Sequence, residues 1–411
     1  MQNEMKTPWT SNSGPLKGVK VVDMTTVVMG PYATQILAAL GADVIKVESP
    51  AGDNTRHGGM MRTPMMSDRF LHLNRGKRSV VLNLKQPTGR AALIRLIEGA
   101  DVLVYNVRPQ AMQRLGLGYK EVSAMNPRLI YVGAYGFSQQ GPYAARPAYD
   151  DLIQGMVALP WLMSKAGGGE PRYVPATLFD RIVGLHVVYS VMAALFERTA
   201  TGKGQAVEVP MFEAVAEMLL GDHMGGRTFE PPLGPSGYGR VLSAERRPFR
   251  TRDGYVCVLI YNDKQWESFF RILEEAGESR NPDFATQKER SQHVEAMNAF
   301  VAAQMAKRTS EEWLAKLSEA DIPCAPLYSL DDLIDDPHLQ AVRFFNRSDH
   351  PSEGKVVGLT TPTRWPSHAL EAGRHAPQFA EHTREVLEQL GYSDAEIAQL
   401  VQEGSAVVPP A

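Results

Sequence analysis

After a polar stretch to Gly14, the chain alternates short β-rich runs with runs whose apolar positions recur at helical spacing. Val19-Lys20-Val21-Val22-Asp23 reads as a buried strand, and Pro31 to Leu40 as a helix with proline in its first turn. Gly41 ends that helix, and Asp43 to Glu48 follows as a second strand. The alternation continues with a strand over Val80 to Leu84, a helix over Pro87 to Ile97, and strands over Asp101 to Tyr105 and Arg128 to Ala134. Strands separated by helices of about ten residues make βαβ units, so the pattern predicts an α/β fold. Its sheet is doubly wound, mostly parallel and covered on both faces.

A long apolar helix is predicted from Asp180 to Arg198, then a strand over Ala206 to Val209 and a helix over Met211 to Leu220. The texture changes at Gly225 to Gly239, where five glycines and three prolines fall in fifteen residues and read as a linker or mobile loop. Beyond it, a strand over Gly254 to Tyr261 and helices over Gln265 to Ala276, His293 to Ala306 and Glu311 to Glu319 suggest a smaller α+β domain. Glu381 to Gln402 carries two amphipathic runs separated by Gly391. No apolar run approaches the roughly 18 residues of a membrane span, and the polar start has no signal-peptide core, so neither membrane nor secretion is expected.

Composition narrows the chemistry. The 411 residues carry 43 Lys+Arg against 46 Asp+Glu, a net charge of −3, which argues against a general nucleic-acid binder. The only cysteines, Cys257 and Cys324, have no CxxC spacing, and the ten histidines show no metal-ligand spacing. A reducing cytoplasm and no metal are therefore expected. The glycine fingerprints of dinucleotide sites and P-loops are absent, as are the G-x-S-x-G and H-E-x-x-H motifs. Any reaction must rest on carboxylates, backbone donors or the substrate's own reactive group. Arg56, Arg62, Arg69, Arg75, Lys77, Arg78, Lys85, Arg108 and Arg114 crowd the α/β half. They read either as a site for a phosphorylated ligand or as a solvated charged face.

Several blocks resemble family III CoA-transferases, the CaiB/BaiF and formyl-CoA transferase family. They are Leu16 to Asp23, Gly30-Pro31, Gly41 to Glu48 with Gly52-Asp53, and Asn74-Arg75-Gly76-Lys77-Arg78-Ser79. Ala100 to Val104 with Asn106, Asn126 to Ile130, Thr201 to Gln205 and Ile322 to Pro326 extend the likeness in the family's order. The resemblance implies a Rossmann-like large domain, a small α+β domain and an interlocked homodimer. Residues 1–224 and 331–411 would build the large domain, and residues 225–330 the small one. It also implies a CoA-transferase that uses coenzyme A as co-substrate and no tightly bound cofactor. The substrates would be an acyl-CoA donor, with succinyl-CoA a candidate, and a carboxylic acid acceptor.

The family's nucleophilic aspartate falls on Asp180, and its CoA contacts fall on Val27, Leu82, Lys85, Asn106, Arg114 and Met211. An arginine expected after the second strand is Ser49 here, which leaves Arg56 or Arg78 to face the adenine. A lysine expected near Tyr149 is replaced by Pro147, next to Arg146. Without the resemblance, Asp180 reads as the N-cap of the helix that follows it. That position would also favour an anionic carboxylate and offer backbone donors. The same fold resembles α-methylacyl-CoA racemases, whose catalytic histidine aligns with Tyr149. A phenol with a pKa of about 10 is a poor base near neutrality, so the transferase reading is preferred. A silent CoA-binding module remains as the non-enzymatic alternative. Arg172 and Arg240 are the candidates for holding a second carboxylate of the substrate.

Overall fold

The computed structural model of the protein describes residues 13–277, 279–366 and 374–409. The chain divides into two compact units. The first takes the segment ending at Val157, then Val174–Met218, then the chain from Gln340 onward; the second takes Ala158–Tyr173 and Leu219–Leu339.

The first unit is built on a seven-stranded sheet. Its parallel strands are β1 (Lys20–Met24), β2 (Asp43–Glu48), β3 (Lys77–Leu82), β4 (Val102–Tyr105), β5 (Ile130–Tyr135) and β6 (Gln205–Pro210). They lie in the order β3-β2-β1-β4-β5-β6, with the short strand Ala406–Val407 added antiparallel to β3. This is the doubly wound order, and its direction reverses between β1 and β4. Ligands of such sheets bind at that reversal, outside the carboxyl ends of the strands.

The connecting helices are α1 (Met29–Ala39), α2 (Asp68–Asn74), α3 (Pro87–Glu98), α4 (Pro109–Arg114) and α5 (Tyr119–Met125). The crossover from β5 to β6 contains α6 (Asp150–Met156), α7 (Leu159–Gly167) and α8 (Leu178–Thr201), and α9 (Met211–His223) follows β6 directly. One core joins Val22, Ile45, Val80 and Leu103 to Leu93 and Leu96 of α3. Leu387, Ile397 and Leu400 of the C-terminal helices Thr383–Gln389 and Asp394–Gln402 complete it. Truncating such a fully buried leucine to alanine costs about 2–5 kcal/mol.

Strand β3 begins three residues before its apolar run, at Lys77. Charged residues read as exposed in a hydropathy pattern, yet Lys77 and Arg78 are buried here because each has a partner. Lys77 pairs with Asp23 at 2.9 Å and Arg78 with Asp43 at 2.5 Å. Two more buried pairs, Lys46–Asp53 at 2.9 Å and Arg56–Glu48 at 2.7 Å, tie β2 to the loop after it. Removing one member of such a pair costs about 3–5 kcal/mol because the other is left charged and dry.

Helix α8 is 24 residues long and, by length and composition, apolar enough to cross a membrane, although no uninterrupted apolar run suggested it. Here it packs along α1 and against β5 and β6.

In the second unit, strands Phe249–Arg250, Tyr255–Val258 and Cys324–Pro326 form an antiparallel sheet. Helices Asp263–Glu274, Val294–Met305 and Ser310–Glu319 pack with it around the buried Trp266 and Trp313. The glycine-rich stretch folds back on itself: a Cβ on Gly226 would lie 2.3 Å from the Gly234 nitrogen. Leu233 N–H donates to Gly226 O at 3.0 Å.

Candidate active site

The turn after β1 sits at the sheet's reversal point, and four side chains pin it residue by residue. Asp23 Oδ1 accepts the Thr25 amide at 2.9 Å and its hydroxyl at 2.5 Å, while Lys46 Nζ donates to Thr25 O at 2.7 Å. Asn106, in the loop after β4, brackets Thr26: its Oδ1 accepts Thr26 N–H at 2.9 Å and its Nδ2 donates to Thr26 O at 2.7 Å. Asp53 Oδ1 accepts Val27 N–H at 3.2 Å. So held, Val27 adopts φ 70°, a left-handed conformation that costs a β-branched residue about 1–3 kcal/mol. Burial opposes the ionisation of Asp23 and Asp53, but Lys77 and Lys46 outweigh it and keep both carboxyls below their usual range.

The long crossover brings Asp180 to the same edge. Thr177 occupies the N-cap position of α8 without a side-chain bond, so Asp180 is not the N-cap but the third helical residue. The cap is supplied from a distance. Buried Asp150, the first residue of α6, accepts the Phe179 amide at 2.7 Å and the Asp180 amide at 3.0 Å through Oδ2. Its Oδ1 accepts Gln154 Nε2 at 2.5 Å, and Gln154 Oε1 accepts Val174 N–H at 2.9 Å. A bond spanning 30 residues leaves no local signal in the sequence.

Asp180 is half-buried, and its pKa is pushed up to about 7, first by burial and then by the charge of Asp150. Arg69 and Arg181 pull it down without cancelling the rise. This differs from the expectation of a helix start that holds the carboxylate anionic, because the two amides beside it already donate to Asp150. Gly184, one turn further along α8, lets the helices close: a Cβ there would lie 3.0 Å from Met29 O and from the Tyr32 ring. The Arg181 guanidinium stands 4.9 Å over that ring. The start of α8 thus sits on the first turn of α1, which begins two residues after Val27.

The other residues singled out in the sequence are distributed as follows. Leu82 ends β3 and is buried, and Lys85 is exposed in the next turn with its amide on Asn83 Oδ1 at 3.2 Å. Arg114 is exposed at the end of α4, Tyr149 is 64% exposed at the start of α6, and Met211 is buried at the start of α9. These five, with Val27 and Asn106, lie at the carboxyl ends of parallel strands or in the segments that follow them. Arg78 does not join them. It lies near the amino end of β3, and Asp43, Glu385 and Gln389 hold its guanidinium. Arg56 is fully buried and bonds Glu48 through two nitrogens at 2.7 Å each, so neither arginine presents itself for an adenine. Arg146 stacks on Tyr143 at 4.0 Å. His186 is half-buried beside Tyr189, at a cavity of about 380 Å³ that Glu208, Glu213 and Glu217 also line. Among the described residues, no group of three or more His, Cys, Asp or Glu could hold a metal ion.

A doubly wound sheet of this order, with a ligand crevice at its reversal point, is a frame on which many α/β enzymes are built. Residues 16–383 match the model of CoA-transferase family III, and the chain belongs to that family and is a CoA-transferase. It is 32% identical to a succinate–glutarate CoA-transferase of Agrobacterium fabrum, over 92% of this chain and 96% of that one. It is also 32% identical to a formyl-CoA:oxalate CoA-transferase of Rhodopseudomonas palustris, over 96% and 97% of the two chains. The fold superposes on the crystal structure of a CaiB/BaiF family protein from Brucella suis with a TM-score of 0.77 at 30% identity, covering 92% of this chain and all of that one.

Proposed function

We propose that Asp180 carries the acyl group and then CoA during transfer from an acyl-CoA to a carboxylic acid. The observation behind this reading is a half-buried carboxylate in the first turn of α8, seated on α1 just after the pinned Val27 turn. An Asp180 oxygen attacks the thioester carbonyl, the C–S bond breaks, and CoA leaves as thiolate, giving a mixed anhydride. The thiolate attacks the aspartyl carbonyl, the donor's carboxylate leaves, and an aspartyl-CoA thioester remains. The acceptor carboxylate then displaces the thiolate to form a second anhydride. Thiolate attack on its acyl carbonyl releases the new acyl-CoA and restores Asp180. No proton, metal or redox partner is consumed.

In this reading the Val27 turn, Leu82, Lys85, Asn106, Arg114, Tyr149 and Met211 form the CoA and acyl-binding edge. The names of the relatives favour small acids, with succinyl-CoA a suitable donor. Leu185, Tyr189, Met192 and Phe196 form an apolar stripe on α8, 38–79% exposed in the single chain, which fits burial against a second copy in a cytoplasmic homodimer. Replacing Asp180 by Asn or Ala tests the reading. Turnover should vanish while circular dichroism and melting remain those of a folded protein. Normal turnover by the Asn variant would refute it, and epimerisation of a 2-methylacyl-CoA without exchange would favour the racemase.

A further inference from the structure

The turn that carries Lys85 is held from a segment far along the chain. Asn83 directly follows β3 and commits four polar groups there. Its amide donates to Ser405 O at 2.8 Å, and its Nδ2 donates to Gly404 O at 3.1 Å. Toward the turn, its Oδ1 accepts the Lys85 amide at 3.2 Å and its carbonyl accepts the Gln86 amide at 3.0 Å. One side chain thus joins residues 321 positions apart and shapes the path from β3 into α3.

The anchoring segment is itself fixed. The Ser405 amide donates to Leu400 O at 2.8 Å, and Leu400 belongs to the main core. Ser405 is fully buried, with its hydroxyl 2.6 Å from that of Thr88. Ala406 and Val407 pair antiparallel with Leu82 and Val81. Helix α3 closes from a third side, where a Cβ on Gly89 would lie 2.5 Å from Asn83 O and 2.8 Å from Ser405 O. On this support the backbone of Lys85 is set, while its ammonium is exposed and makes no hydrogen bond or ion pair among the described residues. Two strand spacings, about 10 Å, separate β3 from β1, so a ligand as long as CoA seated at the sheet's reversal point reaches Lys85.

Resting on the reading of Lys85 as part of the CoA-binding edge, we propose that Asn83 is a positioning residue for CoA. Clamped by Gly404 and Ser405, it fixes the turn from which Lys85 meets the phosphates of the bound thioester. Lysine pairs with phosphate as a point charge on a flexible stem, so fixing the root of that stem lowers the ordering cost of the contact. The chain around Gly404 and Ser405 thereby serves the substrate site without touching the substrate.

The test is a double-mutant cycle read as the dissociation constant for CoA, measured by titration calorimetry on variants shown to be folded by circular dichroism. Lys85→Met should weaken CoA about tenfold, as loss of a charge-assisted bond does, and Asn83→Ala about five- to tenfold. The double variant should bind no more than about twofold more weakly than Lys85→Met alone, because Asn83 acts through Lys85. Asn83→Ser keeps a hydroxyl that can accept the Lys85 amide but does not reach Gly404 O, and it should weaken CoA about threefold. If Asn83→Ala does not fold, Asn83→Ser takes its place in the cycle. Effects that multiply in the double variant would overturn the proposal, since a merely structural loss is independent of Lys85. Wild-type affinity in a folded Asn83 variant would overturn it as well. In both cases a weakened Lys85→Met leaves the CoA-edge reading standing. Wild-type affinity in Lys85→Met would instead remove Lys85 from that edge, and this proposal with it.

Discussion

Asp150 Oδ2 lies 3.0 Å from the amide nitrogen of Asp180, so the carboxylate that starts α8 also sets its negative charge beside the side chain of the candidate nucleophile. Positioning and tuning come from a single contact. The same bond that fixes where Asp180 points makes its ionisation harder.

The first consequence is a pH dependence. A carboxyl of ordinary acidity would be fully ionised above about pH 5, leaving the rate flat through neutrality. With Asp180 pushed up to about 7, kcat/KM should fall about tenfold per unit below pH 7 and level off above it. Stability should respond in the corresponding sense. A carboxyl whose folded pKa exceeds its unfolded value of 3.8 favours the fold below that value, and the contribution is lost as pH rises through about 7. The melting temperature of Asp180→Asn relative to wild type should therefore increase between pH 4 and 7.

Asp150→Asn removes the neighbouring charge while retaining an oxygen that can accept an amide. The acid limb of the rate profile should move down from 7 toward the ordinary carboxylate range. Loss of the charged helix cap should cost about 1–2 kcal/mol in chemical denaturation. An unshifted limb with the same stability loss would make Asp150 a structural cap only.

Asn106→Ala leaves both the N–H and the C=O of Thr26 without their side-chain partner. Stability should fall by about 1–3 kcal/mol. If this turn receives the CoA, the KM for acyl-CoA should rise about tenfold while kcat changes little, because the interaction is equal in ground and transition states.

Glutamate at Tyr189 and Phe196 together places two charges on the α8 stripe. Light scattering should show the wild type at twice the chain mass and the variant at 45.3 kDa. An unchanged mass for the variant would exclude the stripe as the contact between copies.

The alternation of strand and helix patterns made the main sheet legible in the sequence, since β2 matches its predicted bounds and the other parallel strands differ by a few residues at their ends. The start of β3 was not legible because Lys77 and Arg78 are buried through partners on other strands, which hydropathy cannot anticipate. The short helices α2 and α6 were missed for a related reason: seven residues give too little periodicity to register. At the site, the motif blocks pointed to Asp180 and Asn106, and the structure adds what each one bonds. The bonds made by Asp53 and Asp150 emerged only when the loops converged, because they join residues distant in sequence.

The central claim is that Asp180 becomes covalently linked to CoA. The most direct measurement is to incubate the enzyme with succinyl-CoA, quench it, digest it and weigh the peptide spanning Asp180. The peptide should gain the mass of CoA less one water, and the Asp180→Asn peptide should not. An unmodified Asp180 peptide in an enzyme that is exchanging CoA would contradict the account.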